Sequence, residues 1–164
     1  MSDAIQISPD LKQAEVDALE KQLLQEPQVE CPLVHRFAPG LYAREVTMPA
    51  GTFIIGQRHK TSHFNVILSG KAKVMVGEHE VKILRAGDVL VSEAGIRKVL
   101  LILEEMRWMT IHPTLETDIG RLENDLVIKS NAFLAEQEKK ELRSAMEALK
   151  NHCESPADQP RQTT

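Results

Sequence analysis

The sequence predicts a mostly β fold, a barrel or sandwich of short strands with a helix at each end. Three observations carry that prediction. The middle of the chain, from about Pro32 to Pro113, is cut into short β-rich runs by Gly, Pro and Asp. Several of these runs alternate in polarity, as in Lys71-Ala72-Lys73-Val74 and Glu80-Val81-Lys82-Ile83. The segments on either side instead carry apolar residues at near-helical spacing.

The bulk properties narrow the function classes. A chain of 164 residues suits one main domain, and its 42% hydrophobic and 27% charged residues are ordinary for a globular protein. Aromatic residues make up only 4%, so the core must be aliphatic. Twenty basic against 24 acidic residues, a net charge of −4, argue against a general nucleic-acid coat, which needs a basic surface. The longest apolar run, Val99–Leu103, is hemmed by Lys98 and Glu104, far short of the roughly 20 residues of a membrane span. Met1–Gln6 has no apolar signal region. Cys31 and Cys153 match no zinc or redox spacing; reduced thiols in a cytoplasm are the simpler expectation, with a bridge left open.

Four segments follow: an N-terminal helical segment over 1–31, a β-barrel over 32–113, a C-terminal helical extension over 114–152 and a disordered tail over 153–164. Ser8-Pro9-Asp10 reads as a helix start, with Ser at the N-cap, Pro in the first turn and an acid near the positive end. Leu11, Val16, Leu19 and Leu23 then continue an amphipathic helix over Pro9 to Gln25. Strands are expected at Leu41–Met48, Thr52–Ile55, His63–Leu68, Ala72–Val76, Glu80–Leu84, Val89–Val91, Arg97–Leu103 and Arg107–His112. Gly77-Glu78 and Ala86-Gly87-Asp88 are turn candidates. Thr114–Asn124 reads as a short helical connection, and Phe133–Lys150 as a longer helix with an imperfect apolar stripe. Both flanking helices must bury those stripes, so a homodimer or packing across the barrel is expected.

The most informative stretch runs from Gly51 to Gly70. If it is extended, Gln57, His59, Thr61, His63 and Asn65 share one face, with Phe64, Val66 and Leu68 opposite. Such a polar row inside a barrel must be hydrogen-bonded, metal-bound or open to a ligand. On a late strand Met106, Trp108, Thr110 and His112 share a face, with Trp108 read as core and His112 as a further candidate. His35, His79 and His152 read as surface residues.

These spacings resemble those of the cupins. Gly51, Gln57, His59, His63 and Gly70 follow the spacing of the first cupin motif, and Gly87, Glu93, Gly95 and Lys98 that of the second, with Ile102 at the position of a final Asn. The resemblance covers about Pro32 to Pro113 and implies a small jelly-roll barrel there, while the N-terminal helix and the C-terminal helical extension lie outside it. A looser similarity links the chain to small cupin-type proteins of tailed-phage genomes. The resemblance also implies metal ligands at four positions, which here hold Gln57, His59, His63 and Lys98. His59 and His63 are the metal-ligand candidates among them, for a divalent ion. Gln57 is a weak ligand, and a protonated Lys98 repels a cation.

Three functional readings are carried forward. The leading one is capture of a small carboxylate-, phosphate- or nucleotide-bearing ligand in the barrel by Gln57, His59, Thr61, His63, Asn65 and Lys98. The second is an enzyme: metal-dependent through His59 and His63, or phosphoesterase-like. The phosphoesterase form rests on two His-x-Thr motifs, His59-Lys60-Thr61 and His112-Pro113-Thr114, which would put His59 and His112 on either side of one phosphate. The third is an interaction module acting through its helices. The expected partners are a small-molecule ligand and a second copy of the chain, as a homodimer, with no general nucleic-acid binding and no membrane.

Overall fold

The structure is a computed structural model that describes residues 5–6, 13–75 and 80–153. Its elements in chain order are β1 (Ile5–Gln6), α1 (Gln13–Leu23), β2 (Leu33–Ala38), β3 (Leu41–Met48), β4 (Phe53–Ile55), β5 (Arg58–His59), β6 (His63–Met75), β7 (Val81–Arg85), β8 (Val89–Ser92), β9 (Val99–Pro113), α2 (Ile119–Leu126), β10 (Val127–Ile128) and α3 (Asn131–Cys153). The fold is the mostly β, jelly-roll-like one expected, with helices towards both ends.

Two long strands, β6 and β9, form its spine. They pair antiparallel from Phe64 opposite Ile111 to Val74 opposite Leu100. The first half of β6 also pairs with β8, and its second half with β7. The first half of β9 pairs with β4, and its second half with β3, beyond which lies β2. Each spine strand therefore changes its outer partner partway along, within one eight-stranded sheet of the described residues. The crossing from one partner to the next falls where the β6–β9 register shifts, between Ile67 and Ala72.

Gly70 sits in that irregularity at φ +84°, and a Cβ there would collide with the Glu105 carbonyl oxygen. Only glycine combines this backbone conformation with that approach. Its presence explains a difference from the sequence expectation. His63–Leu68 and Ala72–Met75 are one continuous strand, because Gly70 bends β6 without ending it; Val76 lies outside the described residues. Arg97–Leu103 and Arg107–His112 likewise merge into β9, which starts at Val99.

The other differences lie at the edges. β2 was not expected; it is an edge strand that is exposed over most of its length. The flanks also contribute strands: β1 runs parallel to β8, and β10 pairs with β5. The expected helix start at Ser8-Pro9-Asp10, the Gly77-Glu78 turn and the tail after Cys153 lie outside the described residues. His79 lies outside them as well.

The core fills one part of the barrel. Met48, Ile67, Ala72, Val74, Leu84, Leu90, Ile96, Leu100, Ile102, Met106 and Trp108 pack there, mostly from inward positions of β6 and β9. A second cluster joins Tyr42 to Leu122, Leu126 and Val127, so α2 and β10 close one end. α2 starts cleanly because the Asp118 carboxylate accepts from the Arg121 amide at 2.9 Å. α1 is fixed by burial of Val16 and by Arg97, whose guanidinium donates to Glu20 and Asp17 and also to the Gly56 carbonyl. Along α3, Leu142, Met146 and Leu149 stay exposed.

Gly70→Ala should destabilise the fold by about 3 kcal/mol, the sum of left-handed strain and a backbone collision. Urea unfolding checks this; a loss below about 1 kcal/mol would show that the crossing tolerates a Cβ.

Candidate functional site

Two backbone hydrogen bonds bring the distant halves of the site together. The Gly56 amide donates to the Lys98 carbonyl, and the Gly95 amide donates to the His59 carbonyl, both at 2.8 Å. The segment before β9 is thereby stitched to the segment around β5. Gln57 and His59 then face the same cavity as Lys98.

That cavity has a volume of about 410 Å³, within the usual range for small-molecule sites. Its apolar wall includes Val46, Met48, Ile54, Leu100 and Trp108. Its polar groups are Gln28, Arg44, Gln57, His59, Asn65, Lys98 and Thr110. Among the described residues none of the lining side chains is acidic.

Lys98 is only 6% exposed. Burial pushes its ammonium pKa down to about 8. The Nζ atom lies 6.0 Å from the centroid of the Trp108 ring. Arg97, its neighbour, turns the other way to Glu20 and Gly56. Asn65, fully buried, is held on both sides: it accepts from the Trp108 indole at 3.0 Å and donates to the Ser92 hydroxyl at 2.9 Å. Asn65 thus shapes the cavity floor and fixes Trp108, instead of offering a free amide.

Beside the cavity three imidazoles meet. His59 comes from β5, His63 from the start of β6 and His112 from the end of β9. Ring centroids are 4.2 Å apart for His59 and His63, 4.7 Å for His63 and His112, and 5.0 Å for His59 and His112. Burial holds all three neutral. It lowers the pKa of His59 to about 2, helped by His63 and Lys98. It lowers His63 and His112 to about 4, again with Lys98 contributing. His59 Nδ1, His63 Nε2 and His112 Nδ1 are buried without a hydrogen-bond partner. Leu122, Leu126 and Val127 cover His59 and His112 on the side away from the cavity.

The expected row of five side chains is thus only partly assembled. Gln57, His59 and Asn65 line the cavity with Lys98, while His63 stands behind with His112. Thr61 is a correction: it is exposed, because the chain bends at 60–62 between β5 and β6 and breaks the alternation. Its carbonyl oxygen lies 3.1 Å from His63 Nδ1, so its contribution is to orient that ring. His35 is a second correction. It is half-buried, stacks on Tyr42 and lies 2.7 Å from the Tyr42 hydroxyl. Trp108 is both core and cavity wall.

The sequence reading missed Arg44 and Cys31. Arg44 lines the cavity from β3, and its signal was a charge among Tyr42, Val46 and Met48 on one face of an alternating strand. Cys31, a free thiol, borders the cavity from a loop that carries no periodic signal. Glu93, at the second motif's proline position, is exposed and lies outside the lining.

The phosphoesterase geometry does not form. Rings with centroids 5.0 Å apart leave no room for a phosphoryl group plus a hydrogen bond of about 2.8 Å on each side. The four motif positions do not form a ligand set either. Lys98 puts a buried cation at one of them, and Gln57 offers an amide at another.

By topology the chain has a cupin-like, jelly-roll-like β fold. The four glycines that carry the motif spacing, Gly51, Gly70, Gly87 and Gly95, all adopt positive φ, so the spacing marks real turns and bends. Solved structures similar to it include a cupin-2 domain protein from Shewanella frigidimarina, 15% identical, covering 59% of this chain and 92% of that one at a TM-score of 0.42. A cupin superfamily protein from Desulfitobacterium hafniense is 13% identical over 57% and 85% of the two chains, at a TM-score of 0.45. The DMSP lyase DddQ from Ruegeria pomeroyi is 23% identical over 54% of this chain and 49% of that one, at a TM-score of 0.43. No protein-family model and no curated protein matches the chain. Among the described residues no helix is long and apolar enough to cross a membrane.

The neutral imidazoles set a pH dependence. Their folded pKa values lie below the unfolded value of 6.5, so the unfolded chain binds more protons on acidification. Stability is full above pH 6.5 and is lost as pH falls towards 4. Between pH 7 and 5 chelator-treated protein should lose up to about 5 kcal/mol. Urea midpoints measured across that range check the sign; a midpoint that rises on acidification would contradict it.

Proposed function

We propose that this barrel captures a small organic anion, with the acid group at Lys98 and the apolar body against Trp108, Leu100 and Ile54. The observation that carries this reading is the Lys98 ammonium, buried in a cavity wall that has no acidic side chain among the described residues. A buried charge without a counter-ion is costly, and an anionic ligand offsets that cost where water is excluded. Arg44 adds a second positive group on the same wall. Gln57 and Thr110 supply neutral hydrogen-bonding groups for orientation. The apolar share of the lining favours a ligand with a hydrocarbon part over a bare inorganic ion.

This reading is of binding, and it assigns no turnover. A carboxylate and a phosphate monoester share the chemistry that Lys98 recognises, and titration separates them. Calorimetric titration of acetate, malonate, benzoate and phenyl phosphate should find at least one acid that binds. Lys98→Met keeps the length of the side chain without its charge and should weaken that acid about 30-fold or more. Binding should also weaken as pH rises past about 8, where Lys98 loses its proton. Failure of every acid to bind, or equal binding by Lys98→Met, would overturn the proposal.

A further inference from the structure

We infer that His59, His63 and His112 form a three-histidine site for a divalent transition-metal ion, displaced from the ligand positions that the motif spacing implies. Only His59 and His63 belong to those positions. His112 comes from the far end of β9, outside both motifs.

The argument starts from the orphaned nitrogens. His59 Nδ1, His63 Nε2 and His112 Nδ1 are buried, have no partner, and are the kind of polar atom that a folded protein normally satisfies. One ligand atom from each ring lies within 4.8 Å of the other two. A three-histidine ion with bonds of about 2.0–2.1 Å is reached by side-chain shifts of about 1 Å. The orientation of His63 is already set. Its Nδ1 side faces the Thr61 carbonyl at 3.1 Å, which leaves Nε2 to carry the lone pair into the cluster.

The donor set chooses the kind of metal. Three imidazoles with no carboxylate and no thiolate suit zinc, nickel, cobalt or copper, and offer little to magnesium or calcium. Three protein ligands leave at least one coordination position free. Leu122, Leu126 and Val127 cover the cluster on one side, and His59 borders the cavity on the other, so the free position is reached from the cavity. The site is distinct from the anion subsite at Lys98, and each is lost by its own substitution.

The test uses purified full-length protein, stripped with chelator and titrated with zinc, nickel and cobalt ions alone. One ion per chain is expected, with micromolar or tighter affinity and a rise in melting temperature. Cobalt should add visible absorption typical of nitrogen coordination. His112→Ala should weaken binding at least 100-fold, whereas Gln57→Ala, at a motif position, should bind within threefold of wild type. His112→Gln keeps more of the volume and should show the same loss, which guards against a folding defect; melting of the stripped variants confirms that they are folded. No binding by folded wild-type protein, as when a water bridges the three rings, would overturn the inference. So would wild-type affinity in both His112 variants, or an equal loss in Gln57→Ala. Acid binding by stripped protein is measured alongside. Its dependence on Lys98 stands or falls separately.

Discussion

The barrel buries an excess of base. Three imidazoles, one ammonium and an arginine-bordered wall share one interior, and among the described residues no acid lines the Lys98 cavity, Glu123 bordering His59 and His112 only from the far side. Everything about the site follows from that imbalance. The imidazoles stay neutral, because charging them would add like charge to a poorly solvated space. The lysine keeps its proton less firmly than it would in water. An arrangement of this kind costs stability, and a negatively charged occupant is what offsets the cost.

The rest of the fold holds the imbalance in place. Acidic groups are present close by, but they are engaged elsewhere. Glu45 is buried on the outer face of β3, where Arg36 and Arg107 donate to it and hold its carboxyl below the usual range. Glu20 answers Arg97 on α1; burial raises its carboxyl pKa, but hydrogen bonds from Arg97 and Ser130 outweigh this and leave it lowered. These pairs tie the outer elements to the barrel and leave the cavity side cationic. The aliphatic core, meanwhile, packs the remainder of the barrel and gives the polar cluster a rigid frame.

Much of the fold was legible because local chemistry and the final environment agree. Leu41–Met48 alternates in polarity and forms a strand with those bounds. The turn and bend glycines stand at positions with positive φ. What could not be read depended on partners far along the chain. Edge strand β2 is mostly exposed and carries no alternation to betray it. β1 and β10 are two-residue strands that exist only because β8 and β5 are there to pair with them. In the site, Gln57, His59 and Lys98 were found by spacing, but Thr61 was misplaced because alternation holds only while the chain stays extended. The meeting of His112 with His59 and His63 is set by the β6–β9 register, which opposes Phe64 and Ile111. No local pattern reports that register.

The most direct test of this account is a high-resolution crystal structure of the protein with its natural contents retained, viewed in the space between Lys98 and Trp108. The account predicts an ordered anion with an oxygen within hydrogen-bonding distance of Lys98 Nζ. A Lys98 side chain swung out to solvent, or apolar side chains collapsed to fill that space, would contradict it.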